Sequence, residues 1–241
     1  MSKRIIVVSG KGGTGKSTFA VNTALSLAYR KYRTLLLDMN TGLRTLDLYL
    51  GVQDRAIYDI YDVICGRCGM EQALLTSVYS PYLGLIPACQ TRDVEISTEQ
   101  LRSFLDGAAS RYDFVILDCP PGIGGRIDAC VPCADAAAIV LTSDYAAVRD
   151  ADATEDYLIR SGIMNRGYIV NRMMPALIQS GIEPDVSVID TRLKCRMLGM
   201  IAEEESIRAA TSAGVPVVTI RDSYIAQNFD RITDRLMSAI R

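Results

Sequence analysis

The sequence predicts an α/β fold: a mostly parallel, twisted sheet of about seven to eight strands, flanked by helices on both faces. Three observations carry this expectation. Short apolar runs alternate with helix-length segments from one end of the chain to the other. Those runs are continuously hydrophobic rather than alternating, the mark of strands covered on both faces. The first run also passes through a glycine-rich loop straight into a helix-forming stretch, the strand–loop–helix unit from which parallel sheets are built.

Taken in order, Arg4–Ser9 is β-branched and apolar, a buried strand, and Thr18–Arg30 is its following helix. Further strands are expected at Arg33–Asp38, Tyr82–Pro87, Phe114–Asp118, Ala136–Thr142, Gly167–Asn171, Met197–Ile201 and Pro216–Ile220. Periodic stretches between them predict helices over Ser97–Tyr112, Ala147–Ser161 and Ser206–Ala213. In Tyr224–Arg241 the residues Ile225, Phe229, Ile232, Leu236 and Ile240 recur three to four apart, one apolar stripe of a helix that closes the fold against the sheet. No Pro/Ser/Gly-rich linker, low-complexity tract or internal repeat interrupts the pattern, so residues 1–241 read as a single domain.

Composition narrows the function classes. With 26 basic and 28 acidic residues and a net charge of −2, nothing suggests a nucleic-acid partner. The absence of histidine removes the commonest general base and zinc ligand. No apolar run approaches the roughly 20 residues that cross a bilayer. The N-terminus enters a strand without a cleavable leader. Seven cysteines, an odd number, then read as reduced thiols of a cytoplasmic protein.

Residues 10–17, Gly-Lys-Gly-Gly-Thr-Gly-Lys-Ser, fit the phosphate-loop pattern G-x-x-x-x-G-K-[ST] in its required strand-to-helix context. Gly12, Gly13 and Gly15 permit the backbone angles that turn consecutive N–H groups onto phosphate oxygens. The following helix N-terminus adds partial positive charge. Lys16 is then expected at the terminal phosphates and the Ser17 hydroxyl at Mg²⁺. Gly10, Lys11, Thr14 and Thr18 complete the candidate loop. A metal-supporting carboxylate belongs at the end of a neighbouring strand. Asp118, before Cys119-Pro120-Pro121-Gly122, and Asp38 both qualify.

The loop Lys11–Thr18, with a second lysine one position after its first glycine, resembles the signature of the deviant-Walker-A ATPases, the MinD/ParA family of SIMIBI-class P-loop proteins. Three further runs are similar to members of that family: Leu37–Asp47, Pro87–Asp93 and Ser143–Asp152 with its Val148-Arg149-Asp150. The resemblance spans nearly the whole chain. It implies an ATP- and Mg²⁺-dependent ATPase that works as a homodimer switch in division-site placement, with MinC-like and MinE-like regulatory partners at the inner membrane surface. Lys11 would reach across the dimer to phosphates held by the other subunit. Asp118 would hold Mg²⁺ through water, with Asp38 supporting the same shell. Asn171 and Arg172 would sit at the adenine, where a side-chain amide suits the N6/N7 edge.

Two departures stand out. The family usually carries aspartate where this chain has Asn40, a position implicated in orienting the attacking water. An amide holds water but accepts no proton, so slow hydrolysis is expected. Relatives also continue into a basic amphipathic membrane helix, whereas this sequence stops at Ser238-Ala239-Ile240-Arg241. Asp230 and Asp234 offset Arg231, Arg235 and Arg241 there, so membrane attachment is expected to need a partner or a further segment.

Other readings remain open on sequence: a ParA-like DNA-partition ATPase, a flagellar-placement relative, or a metallocluster-maturation ATPase using Cys130 and Cys133. A small-molecule kinase ranks below them, because no acceptor site is evident. The pairs Cys65/Cys68 and Cys130/Cys133 are C-x-x-C motifs, too far apart for a local zinc ribbon. Cys89, Cys119 and Cys195 read as small buried residues.

Overall fold

The computed structural model describes residues 2–91 and 94–240; Arg92 and Asp93 of the Pro87–Asp93 run, and Arg241, lie outside them. The chain forms an eight-stranded sheet: β1 (Lys3–Val8), β2 (Thr34–Asp38), β3 (Leu75–Thr76), β4 (Leu83–Ile86), β5 (Phe114–Asp118), β6 (Ala136–Thr142), β7 (Arg166–Met173) and β8 (Arg196–Ala202). Their spatial order is β3-β4-β2-β5-β1-β6-β7-β8. Every pairing is parallel except that of β3 with β4.

Continuous hydrophobicity has its cause in two cores, one on each face. Ile5 and Val7 of β1 point into a cluster with Phe19, Leu25 and Phe229. Ile6 and Val8 point the other way, among Leu105, Leu117, Ile139 and Leu158. Each strand must therefore be apolar at successive positions, and each fully buried Ile or Leu contributes about 1.5–3 kcal/mol. On the first face lie α1 (Lys16–Tyr29) and α10 (Tyr224–Ala239), packed on each other. The second face carries α5 (Thr98–Ala108), opened by a Ser97/Gln100 capping box, and α6 (Tyr145–Arg160), opened by the Asp144 side chain on the N–H of Ala147.

The closing helix spends its apolar stripe internally: Ile225, Phe229, Ile232 and Leu236 are buried, and Phe229 lies 6.3 Å from Phe19, ring to ring. Its acidic residues are used structurally too, since Arg30 pairs with both Asp230 and Asp234. Among the described residues no helix is long and apolar enough to cross a membrane.

The expected strand at Pro216–Ile220 is instead a 3₁₀ turn, Val217–Thr219. Val217 and Val218 are still buried, and the Val218 N–H donates to Asn22 Oδ1 at 3.2 Å. Burial without sheet pairing produced the same apolar run, an ambiguity that periodicity cannot resolve over five residues. Short elements escaped the pattern for a related reason: β3, α2 (Leu46–Tyr49), α3 (Ile60–Ile64), α4 (Met70–Ala73), α7 (Pro175–Gln179) and α8 (Val186–Arg192) span too few residues to show a period. The remaining helix, α9 (Glu205–Ser212), follows β8 as expected.

One buried ion pair ties three segments together. Glu155 of α6 accepts from Arg166 Nε at 2.9 Å, at the start of β7, and from the Lys194 N–H at 2.7 Å, ahead of β8. Glu155→Ala leaves the guanidinium of Arg166, itself nearly buried, without its carboxylate. We expect a loss of about 3–5 kcal/mol in urea unfolding. A loss below about 1 kcal/mol would mean that water already reaches the pair.

Candidate nucleotide and metal site

β1 leads the chain to β2 on one side of the sheet, whereas its neighbour β5 leads to β6 on the other, and at the C-terminal ends of these two strands opens the crevice in which parallel sheets bind ligands. The glycine loop fills that crevice and is held from outside. The carbonyls of Lys11, Gly13 and Thr14 accept from Ser9 Oγ (2.6 Å), Arg172 Nη1 (3.2 Å) and Asn171 Nδ2 (2.7 Å). With carbonyls tied outward, the loop's N–H groups and the α1 N-terminus are left to face an anion. Two glycines are obligatory. A Cβ at Gly10 would meet the Asp150 carbonyl oxygen at 2.5 Å. Gly15 has φ +89°, and a Cβ there would lie 2.1 Å from Asn171 Nδ2. Gly12 packs near Pro121, and the Thr14 hydroxyl is buried without a hydrogen-bond partner among the described residues.

Behind the loop, Ser17 Oγ donates to Asp118 Oδ2 at 2.6 Å, while Asp118 Oδ1 is buried with no hydrogen-bond partner. Parallel pairing of β2 with β5 sets Asp38 directly beside Asp118. Burial first, and then the Asp38 carboxylate, push the Asp118 carboxyl up to about 7. Burial lowers the Lys16 ammonium, with Asp118 opposing that shift. Two buried carboxylates and a hydroxyl around one uncommitted oxygen form a hard-oxygen donor set that fits Mg²⁺.

Asp38 is largely committed elsewhere. Its Oδ1 accepts from the Asn40 N–H at 3.0 Å, and its Oδ2 from Thr45 (2.9 Å) and Leu46 (3.2 Å), so it organises the loop 40–45. Asn40 lies in that loop, almost buried, with its side chain unbonded among the described residues.

Lys11 departs from the expected outward reach. Its Nζ lies 2.9 and 2.8 Å from the two carboxylate oxygens of Asp144 in its own chain. Asp144 also accepts from Thr142 Oγ1 (2.6 Å) and the Ala147 N–H. Burial raises its carboxyl, but these donors outweigh it and hold the group below the usual range.

Asn171 and Arg172 end β7 beside a cavity of about 280 Å³, lined also by Gly13, Gly15, Thr18 and Tyr49. With one amide N–H on Thr14, Asn171 keeps Oδ1 and a second N–H without a hydrogen-bond partner among the described residues. Arg172, at φ +57°, forks onto Glu203 (2.7 and 3.2 Å), which Arg208 also contacts at 2.6 Å. Sequence reasoning missed Asp144, Glu203, Arg208 and Tyr49. Asp144 alone carried a signal, as a helix N-cap two residues after a strand. Cys119 and Cys130 meet side chain to side chain, yet all seven cysteines are free, and among the described residues no three Cys, His, Asp or Glu side chains are placed to hold a metal. Cys89, Cys119 and Cys195 are buried as expected, as are Cys130 and Cys133.

This geometry can be set beside known proteins. Residues 2–155 match the family described as AAA domain. The septum site-determining protein MinD of Bacillus subtilis is 36% identical over 220 residues, covering 90% of this chain and 82% of that protein. A solved MinC:MinD cell division protein complex from Aquifex aeolicus superposes with a TM-score of 0.91 at 33% identity, over 98% of this chain and 96% of that one. MinD complexed with Mg-ADP from Pyrococcus horikoshii gives 0.87 at 25% identity, over 98% and 96%. A P-loop sealed by its own sheet, a buried aspartate pair behind it and similarity along nearly the full length lead to one conclusion: the chain belongs to the MinD family of AAA-domain P-loop ATPases.

Proposed function

We propose that this ATPase is an ATP-driven dimerisation switch in the placement of the division septum, with residues 1–241 acting as one unit. The observation that carries the reading is the position of Lys11. A cation sits at the rim of the phosphate loop on a carboxylate about one-third exposed, within reach of solvent rather than locked in the core. Exposed apolar side chains share that rim. Leu43, Ile123, Tyr145, Met174 and Ile182 all follow the C-terminal ends of strands and face water in the single chain. A second copy meeting the same edge would cover them and bring its own Lys11 towards the first copy's phosphates.

In this reading Gly10–Thr18 bind the phosphates through backbone N–H groups, and Lys16 neutralises the terminal charge. Ser17 and Asp118 hold Mg²⁺, which would offset phosphate charge as the bond to the leaving group breaks. Asp38 acts one step back, fixing Asn40 and the loop 40–45. Asn171 Oδ1 and Arg172 address the base. Asn40 orients water without taking its proton, which makes turnover slow and the dimer long-lived. The name of the Aquifex complex supports a MinC-like partner; a MinE-like regulator and peripheral association with the inner membrane surface complete the proposal.

Four outcomes test it. Light scattering should find monomer with ADP and dimer with ATP and Mg²⁺. Lys11→Ala should lose hydrolysis by on the order of 10³-fold and fail to dimerise; a Lys11→Ala dimer as stable as wild type removes the trans role. Asn40→Asp should speed single-turnover hydrolysis, on the order of 10²-fold, whereas an unchanged rate assigns the proton elsewhere. The fourth concerns Asp118. With its folded-state carboxyl raised to about 7, the native protein between pH 4 and 7 holds a proton that the unfolded chain has released. Nucleotide-free stability should therefore fall as pH rises through that window and level off above it. Asp118→Asn should flatten the decline in melting temperature; an equally steep decline would place its cause in another group.

A further inference from the structure

We propose that Tyr49 is a nucleotide-binding residue, its phenolic O–H donating to the sugar–α-phosphate part of the bound nucleotide. This rests on the ATP-site reading above and adds to it a contact from the helix that follows the Asp38-held loop.

Tyr49 lines the same 280 Å³ cavity as Thr18, Asn171 and Arg172. Its ring is anchored. It packs on the core shared by Ile207 and Ala210, and its N–H is bonded to the Thr45 carbonyl at 3.2 Å. Its hydroxyl is not: among the described residues nothing accepts from it or donates to it. Several other tyrosines have their hydroxyls bonded within the fold. Tyr79 bonds the Gly214 carbonyl at 2.8 Å, Tyr168 bonds Asp190 at 2.8 Å, and Tyr157 bonds Asp128. A half-buried phenol held rigidly with a free hydroxyl in a cavity wall is a donor awaiting an acceptor.

Position in the wall selects the acceptor. Thr18 follows Ser17 on α1, at the end that faces phosphate, whereas Asn171 and Arg172 come from β7. Tyr49 sits on α2, which packs against α1, the helix whose N-terminal end faces the phosphates. Burial first, and then the Asp118 and Asp38 carboxylates, raise the phenol, so it stays protonated and can donate to an anionic oxygen. Tyr49 also ends α2, whose first N–H is bonded to Asp38. A nucleotide bonded to Tyr49 is thereby coupled to the loop that carries Asn40.

Calorimetric titration of the full chain with Mg-ATP, Mg-ADP and Mg-2′-deoxy-ATP tests this. Tyr49→Phe keeps the ring, and an unchanged nucleotide-free melting temperature confirms its packing; Tyr49→Met serves if the phenylalanine variant folds poorly. The expected result is a loss of about 3- to 10-fold in affinity, equal for ATP and ADP because both carry the sugar and α-phosphate. If the loss persists with 2′-deoxy-ATP the acceptor is the phosphate, and if it vanishes the acceptor is the 2′-hydroxyl. Affinities within about twofold of wild type for both ATP and ADP overturn the assignment. Lys16→Ala separates the two levels. If it abolishes binding while Tyr49→Phe does not weaken it, only the tyrosine contact fails. If Lys16→Ala binds as wild type, the ATP site itself is misplaced.

Discussion

Parallel pairing of β2 with β5 puts two carboxylates, Asp38 and Asp118, side by side in a dry interior, and most of the site's behaviour follows from that juxtaposition. Neither charge is cheap to bury, and after burial itself the Asp38 carboxylate raises the Asp118 carboxyl. The fold resolves the conflict by dividing labour. Asp38 takes three backbone N–H groups and becomes the post around which the loop 40–45 is wound. Asp118 takes one hydroxyl and keeps one oxygen uncommitted, which suits a cation that would lower the cost of its charge. A loop conformation and a metal preference thus share one electrostatic origin.

The glycine loop depends on the same economy of hydrogen bonds. Its carbonyls are taken by Ser9, Asn171 and Arg172, side chains from both flanking strands of the crevice. Asn171 therefore works first as a brace: deleting its amide would free the Thr14 carbonyl in a buried place, whatever it also does for a base. Arg172 similarly joins the loop to Glu203 on the segment after β8. Base-side and phosphate-side residues are mechanically one object.

Lys11 and Asp144 form a charged contact at the rim that a competing anion could take apart. Both side chains are more than a third exposed, so the pair is worth little in the resting chain. A triphosphate on a facing copy offers more charge in a drier setting. That difference is what a switch needs: weak retention in one state and a stronger alternative in the other.

Much of this was written locally in the sequence. The strand–loop–helix unit, the carboxylates ending Leu35-Leu36-Leu37-Asp38 and Phe114–Asp118, and the apolar stripe of the closing helix each follow from short-range rules of periodicity, backbone freedom and charge. What local rules could not decide is where burial comes without pairing, as at Pro216–Ile220, and which carboxylate is spent on the backbone. They also could not bring Asp144 to Lys11 or Tyr49 to the cavity beside Asn171. Apart from the backbone donors of Asp38, which lie within eight positions of it, those outcomes depend on contacts between residues more than a hundred positions apart, fixed only when the sheet order is complete. The chain alone determined the chemistry available; the three-dimensional packing decided which of its polar groups remain free to use it, because a hydrogen bond already made inside the fold is unavailable to a ligand.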